Sequence, residues 1–300
     1  MFRRKVCPGG NRFWGCNEFC GRRQKSHFCH YMSIEASKFA GNDAVNYEEY
    51  LGPLFFEPSA AVFLSELVAL PVQSILETAC GTGRLTRRLR KEFPTAVHLT
   101  ASDINGDMIA VAKDKLGDAA ITFRVADGQQ LPFVDGTFDL VVNQHGLMFF
   151  PDKQKGIDEA YRVLKPGGHF AFMTWDSTKG NPLMKLIYDD HIIPFFKGED
   201  VQRFYAPFAL HDPERLDNML RNGGFSDIKV RRVSFSGKAA SPMDVVKGMF
   251  LLHRLGREVK EKDPTAVARI AEALERSIGE KFGAGEFSFE LSAWISIGQK

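Results

Sequence analysis

Cysteine is scarce through most of this chain: four of its five lie in the first 29 residues, and Cys80 alone stands in the body. One thiol cannot build a disulfide framework, so a reduced, cytoplasmic setting is expected. Long apolar runs are missing too, and no uninterrupted segment has the roughly 20 residues that span a bilayer as a helix. Charge of one sign is also in short supply: 39 Lys and Arg against 37 Asp and Glu leave a formal net charge of +2. The basic residues are scattered rather than gathered into a stripe, so no nucleic-acid footprint is visible. What is there is ordinary globular usage, 44% hydrophobic and 25% charged over 300 residues. That suffices for one domain with a sizeable core and some decoration. The 26 phenylalanines are unusual and leave room for a greasy ligand, although most must be core.

The first 31 residues read differently. Cys7, Cys16, Cys20 and Cys29 lie there with His27 and His30, and seven basic residues face the single acid Glu18. The cysteine spacing is irregular and offers no zinc knuckle, so no metal is expected. No apolar stretch of a secretory signal follows the charges, and cysteine and glycine are poor material for an amphipathic leader helix. Residues 1–31 are therefore expected to be a disordered extension, with a helical cap over 32–73 and the main domain over 74–300.

The most informative stretch is Ser74 to Gly83, SILETACGTG. Ile75 and Leu76 read as a strand, and Glu77 places a carboxylate at its C-terminal edge. Ala79, Gly81 and Gly83 keep bulk out of the turn, so a ligand can approach the backbone before a helix begins near Arg84. A dinucleotide-binding turn more typically has glycine where Ala79 stands and another where Arg84 or Thr86 stands, which weakens a nicotinamide reading. A second strand, about Ala96 to Ala101, is followed by Asp103, some twenty residues beyond the turn, where an acid can accept both hydroxyls of a ribose.

A third strand, Ile121 to Val125, delivers Asp127; a fourth, Phe138 to Val142, ends in Asn143-Gln144-His145. The fifth, His169 to Thr174, follows a turn Lys165-Pro166-Gly167-Gly168. Helical patterns between these runs argue for an open, mostly parallel sheet with its ligands beyond the strand C-termini.

The segments ILETACGTG, ASDIN, VADGQQLPF, FDLVVNQHGLMFFPD and RVLKPGGHFAF resemble, in order and spacing, the successive motifs of class I S-adenosylmethionine-dependent methyltransferases. The resemblance is greatest to the small-molecule methyltransferases related to the ubiquinone/menaquinone biosynthesis group, and it covers about Asn46 to Asp176. It implies S-adenosyl-L-methionine as cofactor, with Glu77, Thr78, Ala79, Cys80, Gly81 and Gly83 beside its methionine and ribose portions. Asp103 would bind the ribose hydroxyls, Ile104 and Met108 would pack near the adenine, and Asp127, Gly128 and Gln129 would meet the adenine edge. Asn143 to Gly146 would form the floor beside the transferable methyl, with Gln144, Phe149 and Trp175 lining the acceptor side. The Asn-Pro-Pro-aromatic pattern of many nucleic-acid and protein nitrogen methyltransferases is absent.

Several of these residues have plainer readings. Glu77 could cap the following helix, Asp127-Gly128 alone is an ordinary turn, and the Cys80 thiol could pack as a small apolar group. His145 could take a proton from a substrate hydroxyl, amine or acidic carbon, or bond to backbone and shape the pocket. Tyr47 and Tyr50 could line the pocket from a segment folded over the cofactor, or belong to the packing of a leading helix that starts at Glu57-Pro58-Ser59.

Downstream, Asn181 to Phe196 reads as an apolar helix, Asp212-Pro213 opens another, and Phe225 to Phe235 leads into and forms a strand. Pro242 to Phe282 has helical periodicity, and Phe287 to Ile297 alternates as an edge strand does. The fold class expected is α/β: a Rossmann-like seven-stranded sheet, mostly parallel with an antiparallel last strand, helices on both faces, and a helical insertion over about 241–283 between strands six and seven. The expected function is methyl transfer to a small organic acceptor by a monomer or homodimer, with no nucleic-acid partner and no transmembrane segment. A protein or RNA methyltransferase, or a non-catalytic cofactor-binding partner subunit, are the alternatives.

Overall fold

The computed structural model describes residues 42–117 and 119–300; the extension expected over residues 1–31, and its expected lack of metal, lie outside the described residues. Seven strands run β1 (Ser74–Thr78), β2 (His98–Asp103), β3 (Ile121–Val125), β4 (Phe138–Gln144), β5 (Leu164–Trp175), β6 (Ser226–Ala239) and β7 (Phe287–Gln299). They form one sheet in the order β3-β2-β1-β4-β5-β7-β6. The first five pair in parallel, and β7 runs antiparallel to both β5 and β6. This is the mostly parallel sheet with an antiparallel last strand that the sequence led us to expect.

Burial explains which strands sit centrally. All five residues of β1 are buried, as are five of the seven in β4, as expected of parallel strands covered on both faces. The chain leaves β1 toward β2 on one side and returns to β4 on the other, which opens a crevice beyond the C-terminal ends of these two strands.

Three local expectations are corrected. β2 starts at His98 and carries Asp103 as its last residue, because Val97 is held in a turn by its N–H to the Pro94 carbonyl (2.9 Å). The Lys165–Gly168 turn lies within β5 as a bulge: between one paired position and the next, two steps along β4 match five along β5. It is pinned at Gly167 and Gly168 by Lys300: Gly167 N–H donates to Lys300 O and Lys300 N–H to Gly168 O. Finally, β7 is not an edge strand, since it lies between β5 and β6. The alternation read from Phe287 to Leu291 is real, but there β7 faces β6 alone; from Ala293 onward β5 pairs with it as well.

Helices α1 (Glu57–Leu67), α2 (Arg84–Glu92), α3 (Gly106–Leu116), α4 (Lys153–Val163) and α5 (Pro213–Asn222) pack around the sheet. Between β6 and β7 lie a short helix at Pro242–Val246, a π-wound turn at Lys247–Leu251, α6 (Arg254–Lys262) and α7 (Ala266–Phe282). Their apolar residues, among them Val246, Phe250, Leu255, Val259, Ile270, Leu274 and Ile278, join the main core. The Asn181–Phe196 run is helical but broken by a π-wound stretch at Leu186–Ile192, next to Pro194, which has no N–H to continue an α-helical ladder. No helix among the described residues is long and apolar enough to cross a membrane.

Asn181 pins the end of β5 to β7. Fully buried, its amide donates to Asp176 O, Ser177 O and Ser292 O (3.1–3.2 Å), and its oxygen accepts from Ser292 N–H at 2.9 Å. Asn181→Ala leaves these buried groups unpaired and is expected to cost about 2–4 kcal/mol, read as a lowered urea midpoint with an unchanged slope.

Candidate active site

Beyond Thr78 the chain turns sharply at Ala79–Gly83, with Ala79, Gly81 and Gly83 at φ of 52°, 54° and 83°. Cys80 N–H donates to Ser102 O (2.9 Å) and Gly83 N–H to Cys80 O (3.0 Å), which ties the turn to β2 and closes it on itself. A side chain at Gly81 would point into space that no described residue fills.

Asp103 faces this turn. It is 9% exposed, and its two carboxylate oxygens accept from Gly81 N–H (2.9 Å) and Asn105 N–H (2.8 Å). Burial pushes its carboxyl above the usual range, against the pull of the Asn105, Gly81 and Ile104 amides. The following helix α3 is capped by Asn105, whose side chain accepts from the Asp107 and Met108 amides; Met108 is buried in its first turn.

Glu77 is more deeply placed. It is 1% exposed, and its one side-chain hydrogen bond among the described residues is from Thr86 Oγ1 (2.6 Å). Burial lifts its carboxyl to about 8, opposed by the Thr86 bond and reinforced by Asp103. Cys80 is buried beside Ala101 and Ile109. Burial first, then Glu77 and Asp103, push its thiol well above its ordinary value, so it packs as a small apolar group rather than acting as a nucleophile.

A cleft opens beside the turn, lined by Ala79, Ile104, Ala126, Asp127, Gly128, Gln129, Phe149, Phe150 and Pro151. Ile104 is 40% exposed, an apolar side chain left uncovered at the cleft wall. Asp127 is oriented by Gln129, which donates to it from its backbone (2.9 Å) and its amide (3.1 Å). Phe150 lies over Gly128, where a Cβ would collide with its ring. The cleft thus gathers Ala79, Ile104, Asp127, Gly128, Gln129 and Phe149 of the residues singled out from sequence, and it adds Ala126, Phe150 and Pro151. Phe150 follows a phenylalanine already chosen, and only the packing on Gly128 reveals its part.

At the end of β4, Asn143 organises the second turn. Its amide donates to Thr78 Oγ1 (3.0 Å) and Thr78 O (3.3 Å), and its oxygen accepts from Gly146 N–H (3.0 Å) and Leu147 N–H (2.7 Å). Between them His145 is held at φ 55°. Its imidazole stacks on Trp175 at 3.9 Å and 8°, with the Phe56 ring edge-on at 5.8 Å. Both ring nitrogens are buried with no hydrogen-bond partner among the described residues, and burial lowers the ring to about 3. His145 is therefore neutral across the physiological range.

Gln144 points the other way, donating to Phe56 O (3.0 Å) and Ser59 Oγ (2.6 Å), so it ties the sheet to the start of α1. Tyr47 stacks on Phe56 at 4.8 Å. Burial pushes its phenol well above the ordinary value, with Arg84 lowering it and Asp103 and Glu48 raising it. Tyr50 is turned away, toward Lys247 (5.9 Å) and Gly248. Among the described residues, no group of three or more His, Cys, Asp or Glu side chains is placed to hold a metal ion.

A buried acid at the end of β2, a left-handed small-residue turn and a cleft at the crossover of a parallel sheet are the arrangement of a nucleoside-binding α/β protein. The methyltransferase-domain family profile matches residues 76–172. The chain is 32% identical over 169 residues to the ubiquinone/menaquinone biosynthesis C-methyltransferase UbiE of Klebsiella pneumoniae, covering 52% of this chain and 67% of that one. It is 34% identical over 170 residues to the Vibrio cholerae UbiE, covering 52% and 65%. In three dimensions it resembles phosphoethanolamine N-methyltransferase 2 of Haemonchus contortus, with a TM-score of 0.56 at 18% identity. That alignment takes in 89% of this chain but spans only 59% of the other. The chain belongs to the class I S-adenosylmethionine-dependent methyltransferases, in the group related to the UbiE enzymes.

Because the folded state holds the Glu77 proton up to about pH 8 while the unfolded chain releases it near pH 4.5, this residue penalises folding increasingly as pH rises between those values. Glu77→Gln keeps an acceptor for Thr86 and removes the penalty. The ligand-free variant is expected to exceed the parent in stability by about 2–4 kcal/mol at pH 8.5 and to match it near pH 5, as read by chemical denaturation at the two pH values.

Proposed function

We propose that this protein transfers a methyl group from S-adenosylmethionine to a small, largely apolar acceptor at oxygen, nitrogen or activated carbon. The Asp103 carboxylate, clamped by the Gly81 and Asn105 amides at the rim of the glycine turn, carries this reading. It is pre-oriented, it is shielded from bulk water, and the residue after it, Ile104, lines the cleft that a nucleoside base would fill. The donor set fits the cofactor: Asp103 for the ribose hydroxyls, Ile104 for the face of the base, and Asp127 with Gly128 and Gln129 for its edge. Glu77, with Thr78 and Asn143 behind it, underlies the cationic methionine portion, and Gly83 completes the turn.

When bound, the cofactor supplies a methyl group already activated by its sulfonium, so no enzyme nucleophile is needed. The chain's part is to align the acceptor in a site without water. Tyr47, Phe56, Trp175 and His145 pack as one cluster of rings, and we assign the acceptor side to this cluster and to Phe149 of the cleft. A neutral imidazole whose nitrogens meet no partner among the described residues is suited to receive a proton from an acceptor hydroxyl, amine or acidic carbon as the methyl arrives. Burial, which lowers the ring pKa to about 3, makes it a weak base, so the transfer must be coupled to methylation rather than precede it.

Similarity to two UbiE C-methyltransferases favours a carbon acceptor. A non-catalytic cofactor-binding subunit would show the His145 side plugged while the strand-end acids stayed open. Here Glu77 is as deeply buried as His145, so that contrast is missing.

Asp103→Ala is expected to weaken S-adenosylmethionine binding by about 1.5–3 kcal/mol in calorimetric titration, and unchanged affinity would remove Asp103 from the cofactor site. His145→Ala is expected to leave that affinity within about threefold while cutting turnover about a hundredfold. The parent enzyme should show no loss of turnover on acidification through pH 6.5 that is attributable to His145, since its ring stays neutral there.

A further inference from the structure

Buried charge gathers where the segment Asn42–Phe56 meets the glycine turn. Glu48, 7% exposed, accepts from Thr82 Oγ1 at 2.6 Å and from Arg84 Nε at 3.0 Å, and it pairs with Lys115 at 3.1 Å. Arg84 also donates to the Glu48 carbonyl (2.6 Å) and pairs with Glu57 (3.1 Å). The guanidinium passes across Gly52, where any Cβ would strike it. Glu57 in turn pairs with Arg87 and Arg88, each at 2.7 Å.

The charges have a reason to meet. Helix α2 opens with Arg84 and has no acid in its first turn, which is the wrong sign for the positive end of a helix dipole. Glu48 and Glu57 supply the missing negative charge from another segment. Partial burial pushes the Glu57 carboxyl up, but Arg87, Arg88 and Arg84 together hold it below the usual carboxylate range.

Each latch acid directly follows a ring of the reaction wall: Tyr47-Glu48 and Phe56-Glu57. Residues nine apart on an α-helix, at about 3.6 per turn, fall on opposite faces. Tyr47–Phe56 is π-wound instead, and at roughly 4.4 residues per turn two turns bring such residues back to one face. The same winding therefore presents both acids to α2 and stacks Tyr47 on Phe56, which abuts His145 and Trp175. Thr82, the turn residue bonded to Glu48, lies next to Gly81, whose amide holds Asp103.

We propose that Glu48, Arg84 and Glu57 are positioning residues: an ionic latch by which a ligand seated on the glycine turn sets the aromatic wall of the acceptor site, so that cofactor binds first and completes the site for the acceptor. This rests on the cofactor reading above. The latch transmits through Thr82 and Glu48 to the Tyr47–Phe56 segment, and through Arg84 and Glu57 to the Phe56 end of the same segment.

The test is amide hydrogen exchange over residues 47–56 in the full chain, with and without S-adenosylhomocysteine, after calorimetry has established that each protein binds it. In the parent, the ligand is expected to slow exchange there about tenfold or more. In Glu48→Gln the slowing should fall below about threefold while binding persists. Glu57→Gln, at the more exposed site of the two (28% against 8%), should show the same loss and serves if Glu48→Gln does not fold. Equal slowing in parent and folded variants, or a parent that binds without slowing, overturns the latch and leaves the cofactor reading standing. A parent that does not bind overturns both, and calorimetry alone reveals that case.

Discussion

The candidate site depends on the close approach of two turns, one leaving β1 and the other leaving β4. The methyl of Ala79 occupies the space a side chain on Gly146 would need, and Ala79 and His145 both sit in left-handed backbone that costs a non-glycine residue about 1–2 kcal/mol. Asn143 offsets this strain with two bonds back to Thr78 and two forward to Gly146 and Leu147. With both turns bent outward from one point, the space beside Gly81 is filled by no described residue and the His145 ring is swung onto Trp175. Residues in sparsely populated backbone conformations persist only where their surroundings enforce them, and such places cluster at functional sites.

Around that point the two buried acids are treated differently. Asp103 is served by backbone amides on both oxygens, which suits a carboxylate. Glu77 has, among the described residues, one hydroxyl for compensation and holds its proton up to about pH 8. On the opposite side of the turn the sign inverts, with Arg84, Arg87, Arg88 and Lys115 gathered on Glu48 and Glu57. The glycine turn thus lies between two buried acids on one side and a cluster of paired charges on the other.

Much of this was legible before any coordinates. Ile75-Leu76-Glu77 and Phe138 to Val142 read as buried parallel strands because both faces are covered and the apolar runs are short and continuous. Asp103 and Asp127 stood out because an acid at a strand end, at a fixed distance from a small-residue turn, has few other uses. The errors came where local pattern was outvoted by pairing. Lys165-Pro166-Gly167-Gly168 has the composition of a turn, yet the C-terminal Lys300 pairs across it and keeps it within the strand. Phe287 to Leu291 alternates as an edge strand does, but from Ala293 onward the same strand is sandwiched between β5 and β6.

The sequence by itself determined the order of strands and helices, the glycine turn and the acids at the strand ends, because each depends on residues close together in the chain. It also determined membership in a family through motifs whose spacing is set by βα units of constant length. Only the tertiary structure decided that Glu48 and Glu57 belong to Arg84, that Gln144 braces the start of α1, that Tyr50 faces the Lys247–Gly248 turn, and that the His145 nitrogens have no partner among the described residues. Those facts join residues 36 and 27 positions apart in one case and 88 in another. No local periodicity encodes such separations, and they arise only when the sheet brings the segments together.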